Sequence, residues 1–218
     1  YLLPWAAILD PELTVGAPGH VTAATGMDAL IHAVEAYTSK NANTFTDLLA
    51  EEAMELLFSY IRKAFSDGEN LEAREQMLRG SLLAGMAFAN AGVTAVHAFA
   101  YPIGAEFHIP HGMANSIMLV PVMRFNIIGN MEKFARVAAI SGEPVSHLSP
   151  REAAAASVSA LETLTRDLNL AKRLSDFGIE EHHIPDLAAG AMKVTRLLAN
   201  NPRKIELADA KAIYTSVL

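Results

Sequence analysis

Apolar positions recur along this chain at intervals of three and four, the spacing of one helical face, almost from end to end. The spacing in "VTAATGMDALIHAVEAYTS" predicts a first helix over about 21–39. A second is predicted over about 46–65, with Leu49, Ala53, Leu56, Leu57, Tyr60 and Ile61 on one face, and "SDGEN" breaks the chain after it. A third covers about 71–90, and its late small residues, "GSLLAGMAFANAG", permit a neighbouring helix to approach closely. Beyond it the pattern predicts helices over about 114–126, disturbed by Pro121, and over about 131–140. Ser149-Pro150 opens another to about 167, and two more follow over about 184–198 and 208–217. No run of alternating β-branched residues is long enough to build a sheet, and there is neither a repeat nor a low-complexity segment. The expected fold class is therefore all-α, a single helical domain over residues 1–218 with 1–18 as its lead-in.

One stretch stands apart from this pattern. "AVHAFAYPIGAEFHIPHGMAN", residues 95–115, carries His97, His108 and His111 of a total of eight histidines, together with Tyr101. His97 sits among small and apolar neighbours at the edge of a helix. Pro110 restricts the backbone before His111, and Gly112 removes a side-chain clash after it, so this imidazole can point inward at a helix start. Tyr101 precedes Pro102, which disfavours a helical conformation there and leaves its hydroxyl as a candidate donor or proton carrier. His20, His147, His182 and His183 have polar neighbours and read as surface residues.

Upstream, Asp28 and His32 are one helical turn apart on a shared face, and Glu35 continues that face as a partner for the ligands. Their neighbours Met27, Leu30, Ile31 and Val34 leave little polar surface, and a buried carboxylate needs a partner or a cation. Taken singly, each histidine fits a hydrogen-bonded core residue, and the Asp28–His32 spacing fits a structural pair. Taken together, three imidazoles and a carboxylate make a plausible donor set for Fe2+ or Zn2+.

Composition narrows the partners. The chain has 51% hydrophobic and 19% charged residues and a net charge of −7, with no basic cluster. That balance argues for a globular protein and against nucleic-acid or anionic-membrane partners. The apolar run at 117–123 is far too short to span a bilayer. There is no cysteine, so any metal is held by nitrogen and oxygen, and a reducing cytoplasm fits. No glycine is followed by another two positions on, and no G-x-x-x-x-G-K occurs, so a nucleotide would be bound mostly outside this chain. The opening, "YLLPWAAILDPELT", has no initiator Met, basic n-region or cleavage site and reads as the interior of something longer.

"GMDALIHAVEAYTS", "VHAFAYPIGAEFHIPHGMANSIMLVPVMRFN", "NPRKIELADAKAIY" and the leading "ILDPELT" together resemble the iron-containing, group III, alcohol dehydrogenases. The resemblance covers essentially the whole chain. It implies a dehydroquinate synthase-like helical domain that binds the metal, with the family's N-terminal α/β half, which binds NAD or NADP, absent here. By the family pattern the metal ligands fall on Asp28, His32, His97 and His111. Tyr101 stands where many members carry a further histidine, four residues after the third ligand, and is the catalytic candidate. His108 is assigned a place beside the cofactor. The implied activity is hydride transfer between a small alcohol or aldehyde and NAD(P), the metal activating the alcohol oxygen, in a homo-oligomeric protein. The alternatives are a metal-poor maleylacetate-type reductase and a non-catalytic metal-binding or assembly module.

Overall fold

A computed structural model describes residues 4–218, so the first three residues of the expected lead-in lie outside it. Ten α-helices occur among the described residues, and no strand. α1 (Gly19–Thr38) is the central element, with thirteen buried residues spread around its whole circumference. A helix apolar on every side belongs inside a protein, which is where α1 lies, against α2 (Thr44–Ser66), α3 (Leu71–Ala91) and α5 (His111–Asn126).

The small residues have the consequence expected of them. A Cβ on Gly80 of α3 would lie 2.7 Å from Leu57 of α2, and one on Gly26 of α1 would lie 2.7 Å from Met77 of α3. Both glycines let backbones close in further than a side chain permits. The buried stripe of α2 is rotated from the expected one: Ala50, Ala53, Met54, Leu57 and Ile61 are inside, whereas Leu49, Leu56 and Tyr60 are only half-buried flanks. α2 touches α1 and α3 on one side and α6 (Met131–Ile140) on another, which widens its apolar face beyond a single seam.

The larger departure is α4 (Ala95–Phe107), a helix over a stretch for which the periodicity predicts none. Gly92, at φ 76°, ends α3, and α4 then leaves at 102° to it. Tyr101 is helical rather than extended, and Pro102 lies inside the helix. Tertiary packing overrides the local preference: the buried Pro102 ring seats on Gly190 of α8 (Ile184–Met192), where a Cβ would approach it to 3.2 Å. Pro121 likewise leaves α5 unbroken. α7 (Pro150–Asp167) begins as expected, with Ser149 and Glu152 forming a reciprocal capping box behind Pro150. The helix expected over 184–198 divides at Lys193-Val194 into α8 and the short α9 (Thr195–Leu198), and α10 (Leu207–Thr215) follows. No single helix among the described residues is long and apolar enough to cross a membrane.

Candidate metal centre

Three helices bring the candidate ligands together: Asp28 and His32 from the middle of α1, His97 from the first turn of α4, and His111 from the first residue of α5. His97 Nε2 lies 3.6 Å and His111 Nε2 3.7 Å from the same oxygen, Asp28 Oδ1. Donors about 2.1 Å from a shared cation at tetrahedral angles stand about 3.4 Å apart, so these separations suit one divalent ion.

His97 is the best determined of the four. Its ring is 2% exposed, and Nδ1 lies 2.5 Å from Glu35 Oε2. Glu35 is wholly buried and also accepts from the Thr94 hydroxyl at 2.6 Å and the Val96 amide at 2.7 Å. This carboxylate therefore does two jobs: it satisfies the otherwise uncapped N-terminus of α4 and accepts a hydrogen bond from His97 Nδ1–H. With the proton fixed on Nδ1, the lone pair sits on Nε2, which is buried and has no hydrogen-bond partner. A buried, unpartnered acceptor among two further donor groups fits a cation, and the nitrogen-and-oxygen set fits Fe2+ or Zn2+. Burial opposes a charge on His97, but Glu35 and then Asp28 outweigh it and raise its pKa above the ordinary 6.5.

His32 joins differently. Its ring stacks on His97 at 4.6 Å and on Phe88 of α3 at 4.4 Å, with Nδ1 3.9 Å from Asp28 Oδ2. Among the described residues, the donor atoms that lie within 4.8 Å of one another belong to Asp28, His97 and His111, so His32 borders that group rather than entering it. Burial lowers its pKa, partly countered by Asp28.

The site opens on one side. His111 is 52% exposed, and Tyr101, 42% exposed, stands 6.2 Å from its ring and 6.4 Å from that of His97. Partial burial raises the Tyr101 pKa, against a smaller opposing pull from Arg196, so the phenol is protonated at neutral pH. His108 is exposed and left-handed, at φ 54° and ψ 28°, where it ends α4 just before His111. His20, His147 and His182 are exposed as expected, while His183 is half-buried and edge-on to Phe107.

Two features of the site add contacts that the sequence does not show. Asn115, one turn after His111, is fully buried and donates to Asp28 Oδ1 at 2.6 Å. Its spacing from His111 was the available signal. The second is the backbone of Gly112: a Cβ there would lie 2.4 Å from the Ala24 carbonyl oxygen, so α5 presses directly on α1 and carries His111 to Asp28.

Residues 22–218 match the model of the Fe-containing alcohol dehydrogenase family, C-terminal part. The chain is 45% identical to 1,3-propanediol dehydrogenase of Klebsiella pneumoniae over 212 residues, covering 97% of this chain and 54% of that protein. It is also 45% identical to long-chain-alcohol dehydrogenase 1 of Geobacillus thermodenitrificans, covering 98% and 54%. A crystal structure of 1,3-propanediol oxidoreductase superposes with a TM-score of 0.94 at 44% identity, over 96% of this chain and 55% of the other. The chain thus spans about half the length of the relatives it matches. With the family model matched over nearly every residue and relatives 45% identical along almost its whole length, the chain belongs to the iron-containing alcohol dehydrogenase family, as its C-terminal, all-helical part.

Proposed function

We propose that this chain is the metal-holding half of a dehydrogenase that exchanges a hydride between a small primary alcohol, or its aldehyde, and NAD or NADP. The nicotinamide cofactor is bound mainly outside this chain, and the full-length protein is a homo-oligomer. One observation carries the proposal: His97 Nε2 is buried, unpartnered and held by Glu35 beside Asp28 and His111. Asp28, His97 and His111 would hold the cation, with His32, which borders them, as the fourth ligand. Fe2+ is the family's metal, and Zn2+ suits the same donors.

A divalent ion supplies Lewis acidity that favours the deprotonated alcohol and polarises the aldehyde carbonyl. The chain's own residues prepare this. Asp28 contributes a negative charge that offsets part of the ion's. Glu35 keeps the His97 proton on Nδ1 and the lone pair facing inward. Tyr101, protonated at neutral pH and partly open to solvent, hands a proton to the oxygen of an aldehyde or passes one outward from an alcohol. His108, exposed at the α4–α5 junction, is the residue we assign to the cofactor. Elemental analysis tests the assignment: close to one metal per chain is expected in the wild type and close to none in His97→Ala and His111→Ala. Full metal retention in both variants would overturn it.

A further inference from the structure

Asn115 touches both of the groups that must come together, yet no part of the chemistry above uses it. Its side chain is completely buried, and Nδ2 lies 2.6 Å from Asp28 Oδ1 and 3.1 Å from His111 Nε2. The orientation of the amide is fixed by its partner, because only an N–H approaches a carboxylate oxygen this closely. The consequence is unfavourable at the other end: Oδ1 of Asn115 is buried with no hydrogen-bond partner. Such an orphaned acceptor typically destabilises by about 1–3 kcal/mol, so a leucine of similar size would serve the core better. An amide kept there at that cost is explained by what its nitrogen does.

We propose that Asn115 is a positioning residue of the metal site: it fixes Asp28 relative to His111 and so pre-forms the arrangement that a divalent cation enters. The inference rests on the metal reading given above. Asp28 is 17% exposed, and a carboxylate with so little water around it needs a partner that selects one of its staggered rotamers. The amide supplies that restraint from α5, where Asn115 and His111 share a face one turn apart. Asn115 thereby ties Asp28 of α1 to the turn of α5 that carries His111, while the one lone pair of His111 Nε2 is left for the cation. Glu35 performs the matching task for His97, so each helix that contributes a ligand is tied to another by one buried polar side chain.

The test uses the full-length protein that carries this chain, with Co2+ as the probe. Its affinity is measured by competition against a chelator, its ligand-field spectrum recorded, and metal-free melting followed in parallel. Asn115→Leu and Asn115→Ala are expected to lose about 10–100-fold in Co2+ affinity and to shift the spectrum. Asn115→Leu is expected to melt, without metal, no lower than the wild type, which separates positioning from mere support of the fold. Wild-type affinity and spectrum in Asn115→Leu would overturn the positioning role while leaving the metal reading intact. Failure of the wild type itself to bind Co2+ would overturn the metal reading, and this role with it. Asn115→Asp provides a further check: a second carboxylate beside Asp28 is expected to change the spectrum, and an unchanged one counts against the proposal.

Discussion

Gly112 sits next to a proposed metal ligand, where α5 lies directly against the backbone of α1, so Gly112→Ala tests how the fold builds the site. The added Cβ would stand 2.4 Å from the Ala24 carbonyl oxygen and 2.8 Å from its carbon. Ordinary contact begins at 3.4 Å, so α5 has to retreat from α1 by about 1 Å. Both atoms it meets are backbone in the second turn of α1, so no rotamer change relieves the clash. Overpacking of this kind destabilises by about 1–3 kcal/mol. The larger consequence is local, because the retreat lengthens the 3.7 Å separation between His111 Nε2 and Asp28 Oδ1. A misplacement of about 1 Å at a reactive centre can lower function about 10²-fold, and a comparable loss of metal affinity is expected here. Urea unfolding of the metal-free protein reads the first effect, and chelator competition reads the second. Gly85→Ala is the control: a Cβ there meets nothing within 4 Å, and in mid-helix it is expected to stabilise by about 0.5–1 kcal/mol. A Gly112→Ala protein with wild-type unfolding and wild-type affinity would refute the reasoning, since α5 would then be free to reposition without disturbing His111.

Four further outcomes are expected. Asn126 and Asn201 are wholly buried and exchange two hydrogen bonds of 2.8 Å, so Asn201→Ala strands the Asn126 amide and is expected to destabilise by about 1–3 kcal/mol in denaturant unfolding. Because the folded-state pKa of His97 lies above 6.5, its protonated pair with Glu35 stabilises the metal-free protein fully below about that pH and fades as pH rises through the folded value. A cation needs the unprotonated ring, so added Zn2+ is expected to raise the melting temperature far more at about pH 8 than at about pH 6; the reverse order in a thermal-shift assay would contradict this. Tyr101→Phe in the full-length protein is expected to lower turnover about 10²–10⁴-fold while leaving metal content unchanged, as determined by steady-state kinetics and elemental analysis. The 218-residue chain by itself is expected to bind metal yet show no NAD(P)-dependent alcohol oxidation in a nicotinamide absorbance assay.

Sequence reading succeeded here where signals are local and failed where the deciding partner comes from elsewhere in the chain. α7 announces itself through Ser149, Pro150 and Glu152, all within one turn. Asp28 and His32 are legible as a pair because a helix places residues four apart on one face. α4 has no such marker: Thr94 makes no capping bond to its own helix, and the cap comes from Glu35, about sixty residues earlier. Pro102 then argues against a helix that tertiary contacts, its seat on Gly190 among them, make favourable. The same non-local logic explains the site. Glu35 was visible as a partner on the ligand face, but its second task at the start of α4 could not be seen without the tertiary contact. His97 and His111 were found by their setting and by family pattern, but the atoms that aim them, Glu35 Oε2 and the Asn115 amide, reach across from other helices. The candidate ligands are therefore legible in short motifs, whereas their geometry is a property of helix crossings. Those crossings depend on a few glycines whose missing side chains leave no local signal of the surface they approach.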